Sequence, residues 1–140
     1  MPLLRRRLRR PALIPSRTVS ALAVHHLAFR THQLPTLQRF YTELFGFVVV
    51  REQPGRSVWL RAGDAVLMLE VAAPDEPAIP TGSMEFVAFR VSADARDALR
   101  AKLVAMGRSP EAETACTTYL RDPDGRRVVV STYDFEAAPR

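Results

Sequence analysis

The segment His26-Leu-Ala-Phe-Arg-Thr31 returns sixty residues later as Phe86-Val-Ala-Phe-Arg-Val91. Self-similarity at that interval marks a duplicated supersecondary unit, because one such unit has an apolar face that it cannot bury alone. Two copies and a connector use up most of a 140-residue chain, so the repeat points to one domain with internal pseudo-symmetry. The copies differ at an informative place: the first opens on a histidine and the second on a phenylalanine.

The same order of elements can be read around each copy. Residues 22–30 alternate and are rich in apolar types, which predicts a strand. Pro35 stands at a first helical position, and Leu37, Phe40, Tyr41, Leu44 and Phe45 recur at helical spacing up to Gly46 as the stop. Phe47 to Arg51 is rich in β-branched residues, and Ser57 to Ala62 and Ala65 to Val71 flank Gly63-Asp64, which reads as a hairpin turn. Pro74, Pro77 and Pro80 interrupt residues 74–83, a stretch without periodicity that reads as a linker. Beyond it come a strand over 85–91, a helix over 93–106 stopped by Gly107, and two strands flanking the turn tetrapeptide Asp122-Pro-Asp-Gly125. Residues 109–116 can supply a further short strand. Each half therefore reads β-α-β-β-β. The expected fold is α+β, a single domain over 21–134 with module one at 21–73, the linker at 74–83 and module two at 84–134, followed by a tail at 135–140.

Alternation along the strands separates two faces in each module. Leu27 and Phe29, and likewise Val87, Phe89 and Val91, turn to the helices. His26, Ala28 and Arg30, and likewise Phe86, Ala88 and Arg90, share the opposite face. The Gly63-Asp64 turn pairs Trp59 with Met68 and Arg61 with Val66, and sets Glu70 on their side. A sheet face bearing tryptophan, methionine, phenylalanine and arginines is costly to leave bare. Curling the two faces towards each other gives a cup lined by His26, Arg30, Trp59, Arg61, Met68 and Glu70 from the first copy and Phe86 and Arg90 from the second. Apolar walls with a few polar anchors suit a small molecule. Trp59 and Phe86 offer stacking surfaces, and the arginines favour a planar or anionic ligand.

The formal charge of +5 suggests a polyanionic partner until the charges are located. Six arginines lie in residues 1–20, which contain no acid, leaving 14 basic against 15 acidic residues elsewhere. The body is therefore not basic, and a nucleic-acid-binding face is not expected. Residues 1–20 read as a disordered Arg-rich extension, and their Ser16, Thr18 and Ser20 also suit organellar targeting. Cys116 is the single cysteine, so neither an intrachain disulfide nor a cysteine-based zinc cluster can form. No apolar run approaches the roughly 18 residues that span a bilayer, and no membrane partner is expected. The expected location is the cytoplasm.

At this point the sequence resembles the vicinal oxygen chelate superfamily, which includes glyoxalase I, the fosfomycin and bleomycin resistance proteins and extradiol dioxygenases. The resemblance rests on His26-Leu-Ala-Phe, Phe40-Tyr-Thr-Glu-Leu-Phe-Gly46, Leu67-Met-Leu-Glu70 and Asp122-Pro-Asp-Gly125, and covers residues 22–134. It implies paired βαβββ modules whose curved mixed sheets form a cup, commonly in a homodimer and sometimes with modules exchanged between chains. In metal-dependent members the first and last strands of each module supply His, Glu or Gln ligands. The resemblance puts His26, Glu70, Phe86 and Val129 at those positions. Two of the four, His26 and Glu70, are acceptable ligands for a divalent ion, and together they leave most of its shell to water. The expectation is a small-molecule-binding protein that works without a metal or other cofactor. The alternative is a glyoxalase-like or dioxygenase-like enzyme in which His26 and Glu70 hold a divalent metal, or in which Glu70 is a general base with His26 as its partner. Both residues also have a structural reading, His26 as a hydrogen-bonded strand residue and Glu70 as the ion-pair partner of Arg30 or Arg61.

Overall fold

The computed structural model describes residues 21–137. The Arg-rich segment read as a disordered or targeting extension lies outside the described residues, as does the end of the C-terminal tail.

Module one begins with β1 (Leu27–Thr31), which leads into α1 (Leu34–Arg39) and a π-helical turn over Phe40–Leu44. Strands β2 (Val48–Gln53), β3 (Ser57–Ala62) and β4 (Ala65–Val71) complete a sheet of order β1-β4-β3-β2, with β1 parallel to β4 and the other pairs antiparallel. Module two repeats this with β5 (Phe86–Arg90), α2 (Ala93–Ala105), β6 (Ala112–Glu113), β7 (Thr117–Arg121) and β8 (Arg127–Ser131), in the order β5-β8-β7-β6. The result is an α+β fold of two open mixed sheets.

Local chemistry explains most boundaries. Gly63 takes φ +61° while Asp64 stays at negative φ, the pattern of a type II′ turn, in which the glycine comes first. That turn sets Trp59 opposite Met68, Arg61 opposite Val66 and Ser57 opposite Glu70. Ser92 caps α2 by accepting the Ala95 N–H, and Gly107 at φ +70° lets Arg108 N–H reach back to the Leu103 carbonyl at 2.9 Å.

Two expectations need correction. The first strand starts at Leu27, not at residue 22: its ladder opens with Leu27 opposite Leu67, and the two residues of β4 before that pair close the hairpin against Ala62 and Arg61. The alternation at 22–26 thus meets no partner strand. The first helix is also not α-helical throughout. From Phe40 it widens into a π-turn, and both of the adjacent residues Phe40 and Tyr41 are buried.

One apolar cluster joins the modules. Leu37, Phe40, Tyr41 and Leu44 pack on Phe29, Val58, Leu60, Leu67 and Leu69, and the same cluster includes Leu99, Leu103, Leu120, Val128 and Val130. Phe45 and Phe47 meet Phe89 with ring centroids 5.8 and 5.1 Å apart. Polar bonds fix the junction. The Asp122 carboxylate, with no exposed side-chain surface, accepts Tyr41 Oη at 2.8 Å and Arg126 Nη1 at 2.6 Å on one oxygen. Its other oxygen accepts the backbone N–H groups of Asp124 and Arg126. Gln33 Nε2 donates to Asp124 Oδ1 at 2.7 Å, and Arg126 Nη2 donates to the Arg30 carbonyl at 3.0 Å. Burial, reinforced by the Asp122 charge, pushes the Tyr41 hydroxyl well above its ordinary value, so it stays a donor. The linker is held at its far end, where Arg121 Nη1 donates to the Ser83 carbonyl at 2.6 Å. No described helix is long and apolar enough to cross a membrane.

Asp122→Ala strands a hydroxyl, a guanidinium and two backbone N–H groups, and is expected to cost ~3–5 kcal/mol. Tyr41→Phe removes one donor from a carboxylate that keeps the others, and is expected to cost ~1–3 kcal/mol. Urea titration followed by Trp59 fluorescence should show both as lower midpoints at an unchanged slope.

Candidate functional site

The face of the first sheet turned away from the helix carries Ala28, Arg30, Trp59, Arg61, Met68 and Glu70, as the strand registers require. Trp59 and Met68 are half-buried neighbours, and the Arg51 guanidinium lies 5.1 Å over the indole. The indole Nε1 donates to Ser57 Oγ at 3.2 Å, and Ser57 Oγ donates to Gln53 Oε1 at 3.0 Å. His26 stands just ahead of β1, exposed, with its Nδ1 2.9 Å from that of His25. The structure does not bring His26 to Glu70. Arg30 is the residue opposite Glu70, and it lies four residues beyond His26, about 13 Å at the usual rise of about 3.3 Å per residue.

Arg30 is engaged inside the protein. Its Nη1 donates to Glu70 at 3.2 Å, while Nε and Nη2 grip Glu76 at 2.9 and 2.8 Å. Glu76 lies in the linker, where no periodicity marks a tertiary contact made by a loop. Its carboxylate also accepts the Ala73 N–H at 3.0 Å, and its carbonyl lies 2.9 Å from His32 Nε2. The hydrogen bonds from Arg30, then from Ala73, hold the Glu76 carboxyl at about 2 instead of the ordinary 4.5, and Arg30 is pushed further above its usual range. The positive charge of Arg30 is thus met by two carboxylates.

The second sheet presents different chemistry. Phe86, Ala88, Arg90, Thr117, Tyr119, Val129 and Ser131 share its outer face. Phe86 and Tyr119 meet edge to face at 5.6 Å, and the Arg127 guanidinium sits 4.2 Å over Tyr119 while pairing with Glu111 at 3.6 Å. Val129 on the same face is fully buried. A cavity of about 350 Å³ opens here, bounded at its rim by Tyr133 and Phe135, whose rings contact each other at 4.8 Å. Phe86 and Arg90 line this cavity, whereas Arg30 and Glu70 line a separate polar one with Arg56 and Gln53 on the first sheet. The motifs and alternation that mark the other site residues do not single out Tyr119, Tyr133 and Phe135. Tyr119 could have been found by carrying the alternation back from the Asp122 turn, but the rings beyond β8 follow no period.

The repeat allows position-by-position comparison of the two faces. Ala28 is opposite Met68 as Ala88 is opposite Val129, and Arg30 is opposite Glu70 as Arg90 is opposite Ser131. The counterpart of Val129 in module one is therefore Met68, and Glu70 is the counterpart of Ser131. Among the described residues no three or more His, Cys, Asp or Glu side chains are grouped to hold a metal ion.

The clasp of Glu76 by Arg30 makes stability depend on acid. A carboxyl held below its unfolded value adds stability above about 4.5, and this is lost as pH falls towards about 2. The urea midpoint of Glu76→Gln should lie below that of the wild type at neutral pH, and the two should converge across that acid window.

The architecture has known relatives. The sequence model of the Glyoxalase/Bleomycin resistance protein/Dioxygenase superfamily matches residues 23–130. The lactoylglutathione lyase of Agrobacterium tumefaciens is similar in structure, with a TM-score of 0.62 and 23% identity over 78% of this chain and 92% of that one. A Bacillus cereus protein described as a possible glyoxalase gives 0.66 and 22% over 79% and 99%. The fosfomycin resistance protein of Mesorhizobium loti gives 0.64 and 17% over 81% and 93%. Likeness at such identities speaks for the fold alone. No curated protein matches the chain. Because the matched span takes in both copies of the repeat and most of the chain, this protein belongs to the Glyoxalase/Bleomycin resistance protein/Dioxygenase superfamily.

Proposed function

We propose that this chain binds a small planar or anionic molecule without a metal, and does so as a homodimer. The donor chemistry carries the reading: the family resemblance puts Phe86 and Val129, which have no donor atoms, at the module-two positions where metal-dependent relatives carry ligands. Phe86 is committed to an edge-to-face contact with Tyr119, and Val129 is fully buried. On the first sheet the equivalent of Val129 is Met68, and the Glu70 carboxylate faces Arg30. That leaves His26 and Glu70, which the structure does not bring together, as the donors, fewer than the three or more His, carboxylate or thiolate ligands that hold a resident zinc or non-haem iron ion. Exchange of modules between chains leaves the donor count unchanged, since each cup still pairs one first module with one second.

Several features support the small-molecule class. The cavity on the second sheet, about 350 Å³ and largely apolar, falls within the size of ordinary ligand sites. The names of two similar structures, lactoylglutathione lyase and fosfomycin resistance protein, refer to small molecules. The homodimer is supported by the edge positions of β1 and β5, which a second copy would cover. The lone Cys116 favours a reducing compartment such as the cytoplasm.

Elemental analysis of protein purified without chelators or affinity metals should find no stoichiometric metal. Calorimetric titration with nickel, zinc, manganese or iron(II) should give no saturable heat. Near-stoichiometric uptake would overturn the metal-free reading. Light scattering should give twice the mass of the chain, and a monomer would remove the dimer from the proposal.

A further inference from the structure

We infer that the ligand is an aromatic monoanion held on the second sheet alone, with Arg90 meeting its charge and Tyr133 and Phe135 closing on its ring. This rests on the small-molecule reading above and names the class, the site and the residues that select for it.

The internal repeat supplies the comparison. Arg30 and Arg90 occupy equivalent places, yet Arg30 is gripped by Glu70 and Glu76, whereas the equivalent of Glu70 beside Arg90 is Ser131. Ser131 is itself engaged with the Thr117 hydroxyl at 3.0 Å. The Arg90 guanidinium makes no ion pair or hydrogen bond among the described residues. One copy of the motif has its arginine neutralised from within, and the other leaves a planar cation at the rim of a cavity. A carboxylate or sulfonate answers that geometry with two parallel hydrogen bonds, and a cationic ligand is repelled by it.

The rest of the cavity is aromatic and open. Phe86 is 48% exposed, Tyr133 56% and Phe135 85%, and all three border the same cavity. Contiguous exposed apolar surface of this kind is unfavourable in water and marks a binding surface. Ala88 leaves the floor free of bulk, and Phe86 with Tyr119 gives a wall on which a flat ring packs. Tyr133 N–H donates to Ser131 Oγ at 3.1 Å, which ties the C-terminal segment to the end of β8. Tyr133 and Phe135 border the cavity from this segment, just beyond β8.

The test compares three naphthalene probes of one shape and different charge, 1-naphthoate, 1-naphthalenemethanol and 1-naphthylmethylamine, on the full chain by calorimetry. Naphthoate should bind at least about tenfold tighter than the alcohol, the step expected of hydrogen bonds to a charged group. Arg90→Gln should reduce naphthoate to the level of the alcohol, and Phe135→Ala should weaken both several-fold. Arg61→Gln, on the other sheet, should change neither. Equal binding of the three probes would overturn the assignment of charge while sparing the small-molecule reading. Loss of binding in Arg61→Gln would overturn the choice of sheet. Uptake of a metal with no probe bound would overturn the proposed function itself. A dimer that dissociates in Phe86→Ala, with no probe bound to the wild type, would assign the patch to a second copy and overturn this inference.

Discussion

The buried Asp122 carboxylate decides how the two halves of this molecule sit together. A charge without exposed surface is destabilising by several kcal/mol unless hydrogen bonds replace its water. Here two donors come from its own turn, one from Arg126 and one from Tyr41 in the other module. Arg126 then reaches the Arg30 carbonyl and lies 4.3 Å over the Phe29 ring. Separating the modules would leave the carboxylate short of a partner and open a shared apolar cluster at the same time. The helix-covered faces are thereby turned to a common core, and the outer faces are left to chemistry.

Those outer faces have diverged within an unchanged frame. The ladders keep the same register in both copies, and the residues at matching points carry different properties. Where the first copy has Met68 and Glu70, the second has Val129 and Ser131. On the first face Arg30 is answered from within, by Glu70 and a linker acid. The second pairs Arg121 and Arg127 with Glu111, and presents its aromatic rings and Arg90 outward. A duplicated unit allows this, because one copy can carry structural duties while the other changes its surface.

How much of this was legible in the sequence depends on how local each feature is. The Gly63-Asp64 hairpin, the ends of α2 and the pairing of Trp59 with Met68 follow from turn chemistry and alternation over a few residues. The sharing of one face by Arg30, Trp59, Arg61, Met68 and Glu70 follows from the same rule. The start of β1 was not legible, because the length of a strand is set by its partner, and this moved His26 out of the ladder. Nor were the clasp by Glu76 and the aromatic rim at Tyr133 and Phe135, which depend on where aperiodic segments come to rest. The chemistry of a site built by loops is written in contacts between distant residues, and no spacing announces them.

The attachment of the linker at both ends has a mechanical consequence. Glu76 is fastened to Arg30, and the Ser83 carbonyl to Arg121. Residues 77–82 between them form a tether whose seven residue steps can extend to about 25 Å at most, at about 3.3–3.6 Å per residue. Any rearrangement that carries one module further than this from the other must first release one of the two fastenings. The gap a swapped partner would have to bridge is therefore set by an arginine and a glutamate as much as by the number of residues in the connection.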